Sequence, residues 1–114
     1  MSGNGRSSSG GSGGGGGNTP PRECQQIYKP IALMSPVPEV VATLKIGERL
    51  ELERFDVKGK ATLRVLFNGL VTGAILFYAA EILECMEKGF KYLAIVTQIN
   101  GGDITLEVRM DDAQ

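Results

Sequence analysis

The sequence predicts a small α+β, β-rich domain: a six-stranded barrel with two short helices, preceded by a disordered, glycine-rich tail. Three observations carry that reading. Apolar residues alternate with polar ones in short runs separated by glycine turns, the period of half-buried strands. Two segments instead space their apolar residues by three and four, as short amphipathic helices do. The first 17 of the 114 residues hold nine of the 16 glycines and bury almost nothing.

Taken in order, Met1 to about Arg22 reads as a flexible leader, which leaves 23–114 for the domain. A first strand comes before Ser35-Pro36-Val37-Pro38. There Ser35 offers a helix N-cap, and the prolines suit a first helical turn. Val37, Val40, Val41 and Leu44 form one apolar face, and Gly47 suits the exit. Glu48 to Phe55 alternates around Leu50 and Leu52, Asp56-Val57-Lys58-Gly59 turns, and Ala61 to Phe67 returns with Leu63, Val65 and Phe67 on one side.

Asn68-Gly69 is a strong hairpin signal, because a type I′ turn wants positive φ at both positions. Leu70 to Phe77 is the next strand. Ala79 to Lys88 is a helix with Ala79, Ile82, Leu83 and Met86 inward and Glu81, Glu84, Glu87 and Lys88 outward. Phe90 to Ile99 and Ile104 to Met110 are the last strands, around Asn100-Gly101-Gly102-Asp103, and a polar end follows.

The halves resemble each other, which suggests a duplicated βαββ unit. A shift of 42 aligns Ala32 with Ala74, Glu39 with Glu81, Gly47 with Gly89 and Gly59 with Gly101. Val40/Ile82, Val41/Leu83 and Leu44/Met86 fall into register. One further residue aligns Thr62-Leu63-x-Val65 with Thr105-Leu106-x-Val108. Six short strands left flat would expose two edges, and closure into a barrel removes them.

Composition narrows the function. The chain has no histidine, no tryptophan, two cysteines and a net charge of −1. His-dependent triads, His metal sites and zinc-thiolate tetrahedra are excluded, and no cofactor is expected. Phosphate-loop, nucleophile-elbow and zincin motifs are absent. Glu51 and Glu53 share a strand face and could pair as carboxylates, although a solvated outer face explains them as well. Asp103, Asp111 and Asp112 lack calcium-loop spacing.

No apolar run reaches membrane-helix length, and the N-terminus has no signal-like apolar stretch. The expected setting is cytoplasmic, with Cys24 and Cys85 as free thiols. Tyr28, Phe77, Tyr78, Phe90 and Tyr92 read mainly as core or end-plug residues, with Tyr78, where a strand meets the second helix, able to be partly exposed, and alternation turns either Tyr92 or Leu93 outward.

The most suggestive cluster is basic. Arg54, Lys58, Lys60 and Arg64 all belong to the first hairpin, where they could neutralise phosphates while Phe55 stacks a base. This supports a non-catalytic module for single-stranded nucleic acid or a DNA end. The alternative is a protein-interaction module, and an exposed apolar patch would favour that.

Leu44-x-x-Gly47-Glu48-x-Leu50-x-Leu52-x-Arg54, Ala61-x-x-x-Val65-x-x-x-Gly69-x-x-x-Gly73, Ala80-x-Ile82-Leu83, Gly89 and Ala94-x-Val96 together resemble a HIRAN domain over about residues 44–110. The resemblance implies a variant OB-type barrel of six strands with helical insertions, and a family in which some members bind the 3′ end of single-stranded DNA. Where that family carries an Asn-Pro-x-Asp-like segment, this chain reads Phe55-Asp56-Val57-Lys58-Gly59. Where it carries an aromatic pair after the first strand, this chain reads Leu33-Met34-Ser35-Pro36.

Overall fold

The structure, a computed structural model, describes residues 20–111. Most of the expected leader, and Asp112 with it, lies outside the described residues. A 3₁₀ turn at Arg22–Gln25 leads into β1 (Tyr28–Ala32), α1 (Pro38–Val41), β2 (Arg49–Val57), β3 (Lys60–Phe67) and β4 (Leu70–Ile75). Then come α2 (Ala79–Glu87), β5 (Tyr92–Asn100) and β6 (Asp103–Met110). The six strands and two helices match the expected fold class.

The strands form one antiparallel sheet in the order β1-β6-β5-β2-β3-β4. The sheet curls like a barrel, but its ladder does not close between β1 and β4, which corrects the expectation of a sealed cylinder. The edges meet at a single bridge, where Met34 and Ala74 exchange two backbone hydrogen bonds of 2.8 Å. Val37 N–H adds one to Thr72 O at 2.9 Å. Gly73 permits this approach. A Cβ there would lie 2.7 Å from both Leu33 Cδ1 and Met34 O, closer than packed atoms tolerate.

Inside the curl lie Ile31, Leu50, Leu63, Val65, Ile75, Val96, Ile104, Leu106 and Val108, all buried. Val41 and Leu44 cover it from one side, Ile82 and Leu83 from another. Each fully buried aliphatic side chain contributes on the order of 1.5–3 kcal/mol. That packing, more than helix propensity, holds helices too short to persist alone.

Local boundaries differ from the sequence reading for identifiable reasons. Expected over Val37–Leu44, α1 is a single turn, because Val40, Val41 and Thr43 are β-branched and fit a helix poorly. Its N-cap is Val37, while Ser35 has φ of 49° and caps nothing. β4 ends at Ile75 and does not reach Phe77. Tyr92 and Leu93 are both buried, so neither faces solvent as alternation required. The Lys58-Gly59 and Asn68-Gly69 turns do have positive φ at both residues, as type I′ turns need.

The two halves are topologically equivalent. Exchanging β1, β2, β3 with β4, β5, β6 turns the strand order into its own reverse. Glu53↔Arg64 corresponds to Ile95↔Glu107, with offsets of 42 on one strand and 43 on the other. The extra residue is Thr97, a bulge between Val96 and Gln98. Past it the offset is 43, so Gly59 matches Gly102 in its turn and not Gly101. Ile31 pairs Leu106 as Ile75 pairs Leu63, which moves the first-strand offset to 44 (75 − 31) and separates Ala32 from Ala74.

Cys24 and Cys85 form a disulfide, which overturns the free-thiol expectation. Both are buried, 61 residues apart in sequence, and they fasten the 3₁₀ turn to α2. Two tyrosines reinforce the attachment. Tyr92 Oη donates to Cys24 O, and Tyr28 Oη donates to Glu23 O at 3.1 Å. Burial above all raises the phenol pKa of both, that of Tyr92 to about 12. Among the described residues, no helix is long and apolar enough to cross a membrane.

Candidate binding surfaces

The sheet separates the basic residues that the sequence groups together. β2 pairs β3 with Glu53 opposite Arg64, Arg54 opposite Leu63, Phe55 opposite Thr62 and Val57 opposite Lys60. Alternation therefore puts Phe55, Lys60 and Arg64 on one face and Arg54 on the other.

Arg54 reaches past the core to α2, where Nη1 donates to Glu87 Oε2 at 3.0 Å, and its Nε lies 3.8 Å from Asp56 Oδ1. A carboxylate at a helix C-terminus is disfavoured by the helix dipole, and Arg54 offsets that. Arg64 Nε donates to Glu53 Oε1, and its guanidinium carbon sits 4.5 Å above the Phe55 ring centroid. That is a cation–π contact on a ring the sequence reading reserved for a base. Two guanidinium charges thus face three carboxylates. Of the four hairpin cations, only Lys58 and Lys60, at the exposed tip, make no ion pair among the described residues.

A cleft of about 570 Å³ opens where β2 leaves β5, lined by Glu51, Leu52, Glu53, Met86, Phe90 and Tyr92 among others. Of the Glu51–Glu53 pair, Glu53 is held by Arg64 and Glu51 is exposed. Among the described residues, no three acidic or cysteine side chains gather as a metal site requires.

On the outer face of the sheet, the one that carries Arg64, Glu107 accepts hydrogen bonds from Arg109, and Lys29 Nζ lies 3.8 Å away. The Arg109 hydrogen bond is the main reason its carboxyl pKa is lowered. The group links β1 to β6 and is structural.

Among the described residues, the longest run of exposed large apolar side chains lies between β4 and α2. Leu76, Phe77 and Tyr78 are 61%, 59% and 46% exposed. Tyr78 sits at the α2 N-cap with φ of 63°, a backbone region that bulky residues rarely adopt. Its carbonyl accepts from Ile82 N–H at 3.0 Å, and its ring lies 5.1 Å from the Tyr28 ring. The segment is therefore anchored while its side chains face water. Sequence reasoning assigned Phe77 to the core. The signal was available, since Ile75-Leu76-Phe77-Tyr78 is four bulky apolar residues in a row and a one-faced strand can bury only alternate ones.

Neither family models, curated proteins nor solved structures provide a match to this chain.

Proposed function

We propose that the chain is a non-catalytic protein-interaction module that docks through the Leu76–Tyr78 surface. The observation that carries this reading is the run of three exposed apolar side chains held by a left-handed tyrosine. A solitary soluble domain gains nothing from such a run, and backbone strain tends to collect where a surface is used. The Cys24–Cys85 bridge supports an oxidising compartment over the reducing cytoplasm expected from the sequence.

The test is a photo-crosslinking residue at Phe77, with a control at exposed Thr43, in the cells that make the protein. A discrete adduct from position 77 and none from 43 supports the reading. Equal labelling from both positions removes it.

A second reading keeps the HIRAN-like proposal of binding to single-stranded nucleic acid or a DNA end. The exposed, unpaired Lys58 and Lys60 favour it. It further requires Arg54 to leave Glu87, Arg64 to leave Glu53, and Phe55 to accept a base on the face Arg64 now covers.

A further inference from the structure

The hairpin tip between β2 and β3 complements the start of α2. At the tip, Val57 is 44% exposed beside the two unpaired cations, Lys58 and Lys60. At α2, exposed Phe77 and Tyr78 precede Glu81 and Glu84, which lie one and two turns further along the exposed face of the helix. Neither glutamate makes an ion pair among the described residues. This face is shallow and open to solvent, formed by residues of α2 itself, with Ala80 and Glu87 beside the two glutamates.

Each surface thus offers apolar area beside two unpaired charges, of opposite sign on the two sides, and they make no ion pair with each other within one molecule.

We propose that the tip Val57-Lys58-Gly59-Lys60 of one copy docks against the exposed face at the start of α2 in a second copy. Val57 packs on Phe77 and Tyr78, and the lysines meet Glu81 and Glu84. The proposal rests on reading Leu76–Tyr78 as a docking surface and names its occupant. Because donor and acceptor surfaces differ, the contact is head-to-tail and propagates into rings or open chains. The contact is small, so association is weak, and its charges are exposed, so salt screens it.

Sedimentation equilibrium of the full, oxidised chain tests this. At about 20 mM salt the average mass rises with concentration, and at about 500 mM it returns to that of a monomer. Lys58→Gln with Lys60→Gln removes the donor charges, and Glu81→Gln with Glu84→Gln removes the acceptor charges. Each double variant alone associates roughly tenfold more weakly. An equimolar mixture pairs the intact tip of one with the intact helix face of the other and stops at dimers. Wild-type protein that stays monomeric at low salt overturns the proposal, as does self-association that either double variant leaves unchanged. If the wild type is monomeric while position 77 still crosslinks one other protein, the docking reading stands and the second copy is excluded as occupant.

Discussion

The two halves of the sheet share one strand plan and diverge in how each leaves its first strand. In the first half, α1 is one turn and the chain then rejoins the sheet at once, with Gly47 N–H bonding Val96 O at 2.7 Å and Val96 N–H bonding Glu48 O at 3.0 Å. In the second, α2 runs nine residues, and Gly89 N–H is retained by Met86 O at 3.0 Å. The strands part there, and the cleft beside Phe90 is the result. The second half carries an exposed apolar run, the first has a basic hairpin tip, and a disulfide ties the turn ahead of β1 to α2. One scaffold thus holds two differently equipped ends, and the equipment lies in connections and not in strands.

The largest expected effect breaks the bridge that ties the start of the first half to α2 in the second. Converting Cys24 and Cys85 to serine frees a 61-residue separation and lowers stability by about 4 kcal/mol, as chain entropy for a loop of that length requires. Chemical denaturation of the oxidised protein against the double variant checks it. Trypsin cleavage at Arg22 should accelerate in parallel as the 3₁₀ turn comes loose.

The seam between the halves comes next. Gly73→Ala puts a methyl against Leu33 and Met34 and costs about 1–3 kcal/mol. Gly102→Ala in the β5–β6 turn has nothing within 4 Å and no left-handed φ, so its midpoint should shift by under about 0.5 kcal/mol.

Titration separates the sides further. The carboxyl of Glu107 has a lowered pKa in the folded state, so its contribution is present above the unfolded value of about 4.3 and fades as pH falls through the folded one. Glu107→Gln should therefore flatten the acid limb of a stability profile. For Tyr92, raised to about 12, the sign reverses. Its contribution is complete below the unfolded value of about 10 and is lost as pH climbs through the folded one. Tyr92→Phe should blunt alkaline unfolding.

The smallest effect is at Arg54. Its pair with Glu87 is exposed, so Arg54→Ala should cost roughly 0–1 kcal/mol and less in high salt.

Strands and turns were legible in the sequence because period-two alternation and Asn-Gly or Lys-Gly turns are local signals. Even the change of repeat offset at Thr97 could be felt, as one extra residue. The open seam was not legible, because it depends on what Gly73 leaves room for across the sheet. The disulfide was hidden for the same reason, since two cysteines 61 residues apart carry no local trace of pairing. At the expected site the sequence grouped cations that the sheet separates. Arg54 and Arg64 are close in the hairpin, yet the pleat sends them to opposite faces, and acidic partners from α2 and β2 take up their charge.

On the proposed reading the molecule binds protein through its second half and needs no nucleic-acid site in the first. Titrating the protein into labelled single-stranded DNA at low salt tests this most directly. The account predicts a flat response. Saturable binding that weakens with salt and disappears in a Lys58→Glu, Lys60→Glu variant would contradict it.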